Sequence, residues 1–177
     1  MAIFYRSSRV QLRDLKYPNP ENYKTIMAAG SIVGHTRKLV VIAAYMPPGD
    51  RQHRGRACLD HIGEVISEAK RKYNEPMIIL AGDFNQWEIG RVVEDFVDMV
   101  EIDAGPTRGS RSIDRIFLNF GQAVTDKGTC PPLETDPLPV SPPSRSDHRV
   151  VYVRSKLEKL SYSYLYYNEK SVEDFKD

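Results

Sequence analysis

Asp83, Phe84 and Asn85 follow directly on the apolar run Met77-Ile78-Ile79-Leu80. Residues two apart in an extended chain point to the same side. Asp83 and Asn85 would then reach into one space at a strand's carboxyl end, with Phe84 turned away. Gly82 lets the backbone approach a ligand closely. The plainer alternative is a turn, for which Asp and Asn are common formers. Asp147-His148 opens a later apolar segment. A carboxylate beside an imidazole can ligate a metal, act as a base or contact phosphate; it can also simply end a loop. Asp114 lies among Ile113, Ile116 and Phe117, where a carboxylate needs a partner. That partner is either Arg115 or a histidine that Asp114 orients. Tyr45 ends an apolar run just before Met46-Pro47-Pro48-Gly49, as a core aromatic or as a site residue.

Arginines surround these acids: Arg108, Arg111 and Arg115 at one, Arg145 and Arg149 at the other. They form a solvated mixed-charge face or a phosphate-binding one, since guanidinium forks match phosphate oxygens. Each feature is weak singly. Three acids, an Asn, a His and a Tyr at strand ends, with arginines nearby, are together what metal-assisted phosphodiester cleavage requires.

The elements that must position these groups are legible as hydrophobic patterns. Residues 2–5 read as a strand. Residues 25–33 and 39–45 read as a hairpin pair across the polar link 34–38. The second of these is apolar on both faces, as in a strand covered on both sides. Leu59, Ile62, Val65, Ile66 and Ala69 recur at the helical period, which predicts a helix over 56–73. Strands follow at 76–81, 100–103, 112–119 and 149–154, with a short helix at 88–96. Residues 129–146 hold six of the 12 prolines and read as an extended loop. Adjacent strands in this order imply a layered sandwich rather than a doubly wound sheet.

The 177 residues fit one domain of the usual size of roughly 100–200 residues. Apolar residues make up 41% and charged residues 28%, which excludes disorder and collagen. The longest apolar run, 39–46, is far short of the ~20 residues a membrane span needs. Residues 1–6 (MAIFYR) show neither the charged n-region nor the long apolar h-region of a signal peptide. Net charge is only +1, so nucleic-acid contact must come from local clusters. Two cysteines without a CxxC spacing argue against a disulfide framework or structural zinc, and for an intracellular setting.

Residues 80–85 (LAGDFN), 109–116 (GSRSIDRI) and 146–148 (SDH), in this order, resemble the endonuclease/exonuclease/phosphatase superfamily. Tyr45 before its Pro-Pro turn matches the family tyrosine. Within that superfamily, residues 2–6, 80–87 and 106–116 are most similar to the endonuclease domain of non-LTR retrotransposon polyproteins. The resemblance covers about residues 1–156. It implies a four-layer α/β sandwich, with two packed, mainly antiparallel mixed sheets flanked by helices. It also implies a Mg²⁺ or Mn²⁺ cofactor and in-line phosphodiester hydrolysis of DNA in the nucleus. Asp83 would position or deprotonate the attacking water, and Asn85 would hold water or phosphate. His148, oriented by Asp114, would contact the scissile phosphate, and Tyr45 would hydrogen-bond it. Asp147, with Asp83, would lie at the metal. Residues 157–177, with tyrosines at 162, 164, 166 and 167, resemble the linker toward a reverse transcriptase in cis.

Family members carry an Asn and a metal-ligating Glu on strands upstream of the segment matching residues 2–6. The resemblance therefore implies a domain lacking its N-terminal part, weak activity for this chain alone, and an unpaired edge or exposed apolar face beside 2–6 or 39–45. Its other implications are a phosphatase acting on lipid or small phosphoesters, or a non-catalytic DNA- or protein-binding remnant.

Overall fold

The computed structural model describes residues 8–15, 24–46, 48, 54–90, 98–131 and 147–156. Six strands form a mixed sheet: β1 (Val10–Leu15), β2 (Lys24–Ile32), β3 (Lys38–Tyr45), β4 (Met77–Asp83), β5 (Val100–Glu101) and β6 (Asp114–Leu118). Their spatial order is β1-β2-β3-β4-β6-β5. A second sheet pairs β7 (Val124–Cys130) with β8 (Val150–Ser155), antiparallel. The β2–β3 hairpin turns through Gly34, whose φ of +78° is open to glycine at no steric cost. β3 and β4 run parallel, and α1 (Arg54–Lys72) makes the crossover that parallel neighbours require. Among the described residues no helix is long and apolar enough to cross a membrane.

Alternation along β3 and β4 divides the core in two. Val40, Ile42, Ala44, Ile78 and Leu80 face α1 and pack on Cys58, Ile62, Val65, Ile66 and Ala69. Leu39, Val41, Met77 and Ile79 face the other way, with Ile116, Leu118 and Phe120. Val124 and Val153 of the small sheet close over that second cluster. Helix, large sheet and small sheet are thus stacked, and β3 and β4 are apolar on both faces because both faces are covered.

Six of the expected strands and the long helix occur within about two residues of the expected bounds, and the architecture is the expected mixed α/β one with two sheets. Three differences stand out. β3 is no edge: it pairs with β2 on one side and β4 on the other. β1 and β7 form strands that the pattern does not announce. Thr129 and Cys130 belong to β7 rather than to a loop. The strand expected at 2–5 and most of the helix expected at 88–96 lie outside the described residues, as do 132–146 and the tail 157–177.

Candidate active site between the two sheets

Strand register builds the site. Tyr45 pairs with Asp83 across β3 and β4, and Asp83 pairs with Asp114 across β4 and β6. Paired residues share a face, so the three side chains stand in a row at one end of the large sheet. Counting by twos from Leu39, Met77 and Leu118 puts that row on the face toward the small sheet. β8 is preceded by Asp147 and His148, which brings the imidazole to the same end.

Asp83, Asp114 and His148 each offer a ligating atom within 4.8 Å of the other two. His148 Nδ1 lies 3.1 and 3.0 Å from the two carboxylate oxygens of Asp114. An ionised carboxylate only accepts, so Nδ1 is the donor of this pair. Of the two partners open to Asp114 in the sequence, the histidine is the one it takes. Both side chains remain about a quarter exposed, at 26% and 23%, so the pair is reachable from solvent.

Asn85 reaches the site by a different route from the extended-chain argument. β4 ends at Asp83, and the chain turns with Asn85 at a φ of +49°. The Asn85 amide N–H donates to Asp83 Oδ1 at 2.9 Å, the turn chemistry open to Asp and Asn. Asn85 Nδ2 donates to the Met46 carbonyl at 2.7 Å, which fixes the side-chain amide. Phe84 is turned away as expected: it is fully buried and meets Phe117 edge-to-face at 5.9 Å.

Burial pushes the Asp83 carboxyl above its ordinary value, and the charge of Asp114 pushes it further. The Asn85 N–H, the His148 imidazole and Arg108 pull it back. Two opposed carboxylates, one raised in part by the other, fit a hard divalent cation, which is commonly held by one or two carboxylates. Asp83 and Asp114 would hold it.

Asp147 stands apart from this group. Its carboxylate is 63% exposed and pairs with Arg108 Nε at 2.7 Å, while Oδ1 lies 3.7 Å from His148 Nε2. Arg108 and Arg111 bridge each other in a short turn, and Arg108, Arg111 and Arg149 are exposed at this rim. Arg115 is not with them. Strand alternation sends it to the opposite face from Asp114, where Nε donates to the Ser112 carbonyl at 3.1 Å and lies 3.7 Å from Glu101. Arg145 lies outside the described residues. Thr107, which sequence reasoning passed over, is wholly buried beside Asp114. A single threonine between Pro106 and Arg108 carries no periodicity or pairing signal that would have found it.

Solved structures similar in fold include the following three. Mannosyl-6-phosphatase of Bacteroides thetaiotaomicron superposes with a TM-score of 0.63 at 12% identity, over 86% of this chain and 69% of that one. An endonuclease/exonuclease/phosphatase family protein of the same organism gives 0.59 at 14%, over 84% and 66%. TDP2 of D. rerio, solved with a single-strand DNA product, gives 0.53 at 15%, over 84% and 69%. No family model and no curated protein matches the sequence itself. The chain therefore has the endonuclease/exonuclease/phosphatase fold and spans about two thirds of the length of these structures.

Proposed function

We propose that the chain is a divalent-metal-dependent phosphodiesterase acting on DNA, an endonuclease domain of a non-LTR retroelement polyprotein. The observation that carries this reading is the Asp83–Asp114–His148 group rimmed by Arg108, Arg111 and Arg149. Mg²⁺ or Mn²⁺, when bound, would offset negative charge developing on the phosphate. Asp83 holds the attacking water and accepts its proton. Asn85, pinned through Nδ2, offers Oδ1 to that water. Asp114 holds His148 in the tautomer that presents Nε2 to the scissile phosphate. The Tyr45 hydroxyl donates to a phosphate oxygen, and the rim arginines hold flanking phosphates. A DNA substrate places the function in the nucleus, and the retroelement reading makes a reverse transcriptase the partner in cis.

A second reading, a small-molecule phosphatase, is favoured by the likeness to mannosyl-6-phosphatase. The deciding experiment sets nicking of supercoiled plasmid against phosphate release from mannose 6-phosphate, each in Mg²⁺ and in EDTA. Nicking that EDTA and His148→Ala abolish supports the nuclease. Phosphate release without nicking supports the phosphatase. Neither activity overturns both and leaves a non-catalytic DNA- or protein-binding module.

A further inference from the structure

We propose that Thr107 is a positioning residue, whose hydroxyl sets Asp114 against His148. This deepens the reading above and rests on it for the chemistry, though not for the geometry. Thr107 has no exposed surface. Its Oγ1 accepts the backbone N–H groups of both Ile113 and Asp114, each at 3.1 Å. Its own proton points toward the Arg111 carbonyl, 3.5 Å away. The hydroxyl thereby uses its donor and both acceptor positions, the whole capacity of the group. Its backbone is engaged as well: its N–H donates to Arg111 O at 2.9 Å and its carbonyl accepts Arg149 N–H at 2.7 Å.

These bonds join two segments distant in sequence. One begins β6 at Asp114, and the other leads into β8 just after His148. β6 and β8 belong to different sheets, so no ladder fixes one against the other. Thr107 lies between them and holds the backbone of both. The two 3.1 Å bonds from one oxygen set where the Asp114 backbone begins its strand, and so where its carboxylate meets Nδ1. Groups behind the ligands of a metal commonly contribute 10–100-fold to metal affinity or activity without touching substrate.

The test compares Thr107→Val, which keeps the shape and loses the hydroxyl, with Thr107→Ser, which keeps the hydroxyl and loses the methyl. In Thr107→Val, kcat for phosphodiester hydrolysis should fall about 10–100-fold with KM little changed. Thr107→Ser should restore kcat to near wild type. A readout independent of turnover is the His148 Nδ1–H proton resonance. It should be visible in the wild type and Thr107→Ser, and shifted or lost in Thr107→Val. If Thr107→Val does not fold, Thr107→Cys replaces it, since Sγ is a weak acceptor. Equal losses in the Val and Ser variants would show that methyl packing, not the hydroxyl, matters, and overturn the proposal. So would wild-type kcat and an unshifted resonance in a folded Thr107→Val. A wild-type chain without metal-stimulated hydrolysis would defeat the proposed function, while the resonance would still decide the role of Thr107.

Discussion

At the scale of single residues, the site depends on a few contacts that can be removed without touching the core. Asp83→Asn keeps the acceptor for the Asn85 N–H but loses the charge and the basicity. His148→Ala removes the imidazole that Asp114 holds. Under the proposed function each should lower plasmid nicking by roughly 10²–10⁴-fold, the usual worth of a positioned acid or base. Circular dichroism should be unchanged, because both side chains are partly exposed. Nicking that persists in both variants would place the chemistry elsewhere. A different residue sets a pH response of folding. His61 is buried in α1 and shares a 3.0 Å hydrogen bond with Thr25 of β2. Burial lowers its pKa below the ordinary 6.5, against the opposing pull of Glu64. The unfolded chain then binds a proton that the folded one resists, between the lowered value and 6.5. Stability is full above about pH 6.5 and declines as pH falls through that window. Urea midpoints at pH 7 and pH 5 should differ in the wild type, and differ less in His61→Gln.

At the scale of elements, the row Tyr45–Asp83–Asp114 exists only while β3, β4 and β6 keep their register. Gly82 shows how closely the backbones approach there: a Cβ at this position would lie 1.8 Å from the Ala44 carbonyl oxygen. Gly82→Ala should therefore cost about 3 kcal/mol in urea unfolding, the upper range for overpacking, and displace Asp83 with it. Phe84→Ala removes a fully buried ring packed on Phe117 and should cost about 3–5 kcal/mol. Nicking should survive in the fraction that stays folded, since Phe84 points away from the site. Much of this scaffold was legible in the sequence, because Val40, Ile42, Ile78 and Leu80 are apolar without interruption and α1 repeats at the helical period. β1 was not. Its residues Val10-Gln11-Leu12-Arg13 alternate, but over too few positions to outweigh a turn-rich neighbourhood. β7, Val124-Thr125-Asp126-Lys127-Gly128, hides behind two charges and a glycine, and pairing with β8 makes it a strand. Asp114 and His148 were each visible as candidates. Their meeting depends on how two sheets pack, which no local pattern encodes. Arg115 was misplaced for the opposite reason: nearness in sequence to Asp114 suggested nearness in space, and alternation along β6 forbids it.

At the scale of the whole molecule, charge decides how DNA would be met. A net charge of +1 gives no long-range field to draw a polyanion. Attraction must come from the rim, where Arg111 and Arg149 are exposed and Arg108 is shared with Asp147. Few phosphates would be neutralised, so affinity should depend on salt only modestly for a DNA-binding protein. Each phosphate contact on duplex DNA contributes about −0.9 to the slope of log K against log salt. Two or three arginines then give a slope of about −2 to −3. Replacing Arg111 and Arg149 together by Gln should flatten it by about 2. Arg71→Gln is the control, because Arg71 sits on α1 in a bidentate pair with Glu68 at 2.8 and 2.7 Å. That variant should leave the slope unchanged. Fluorescence anisotropy of a labelled duplex across a salt series reads all three proteins. A slope unaffected by the double replacement would move the DNA path away from the rim of this site.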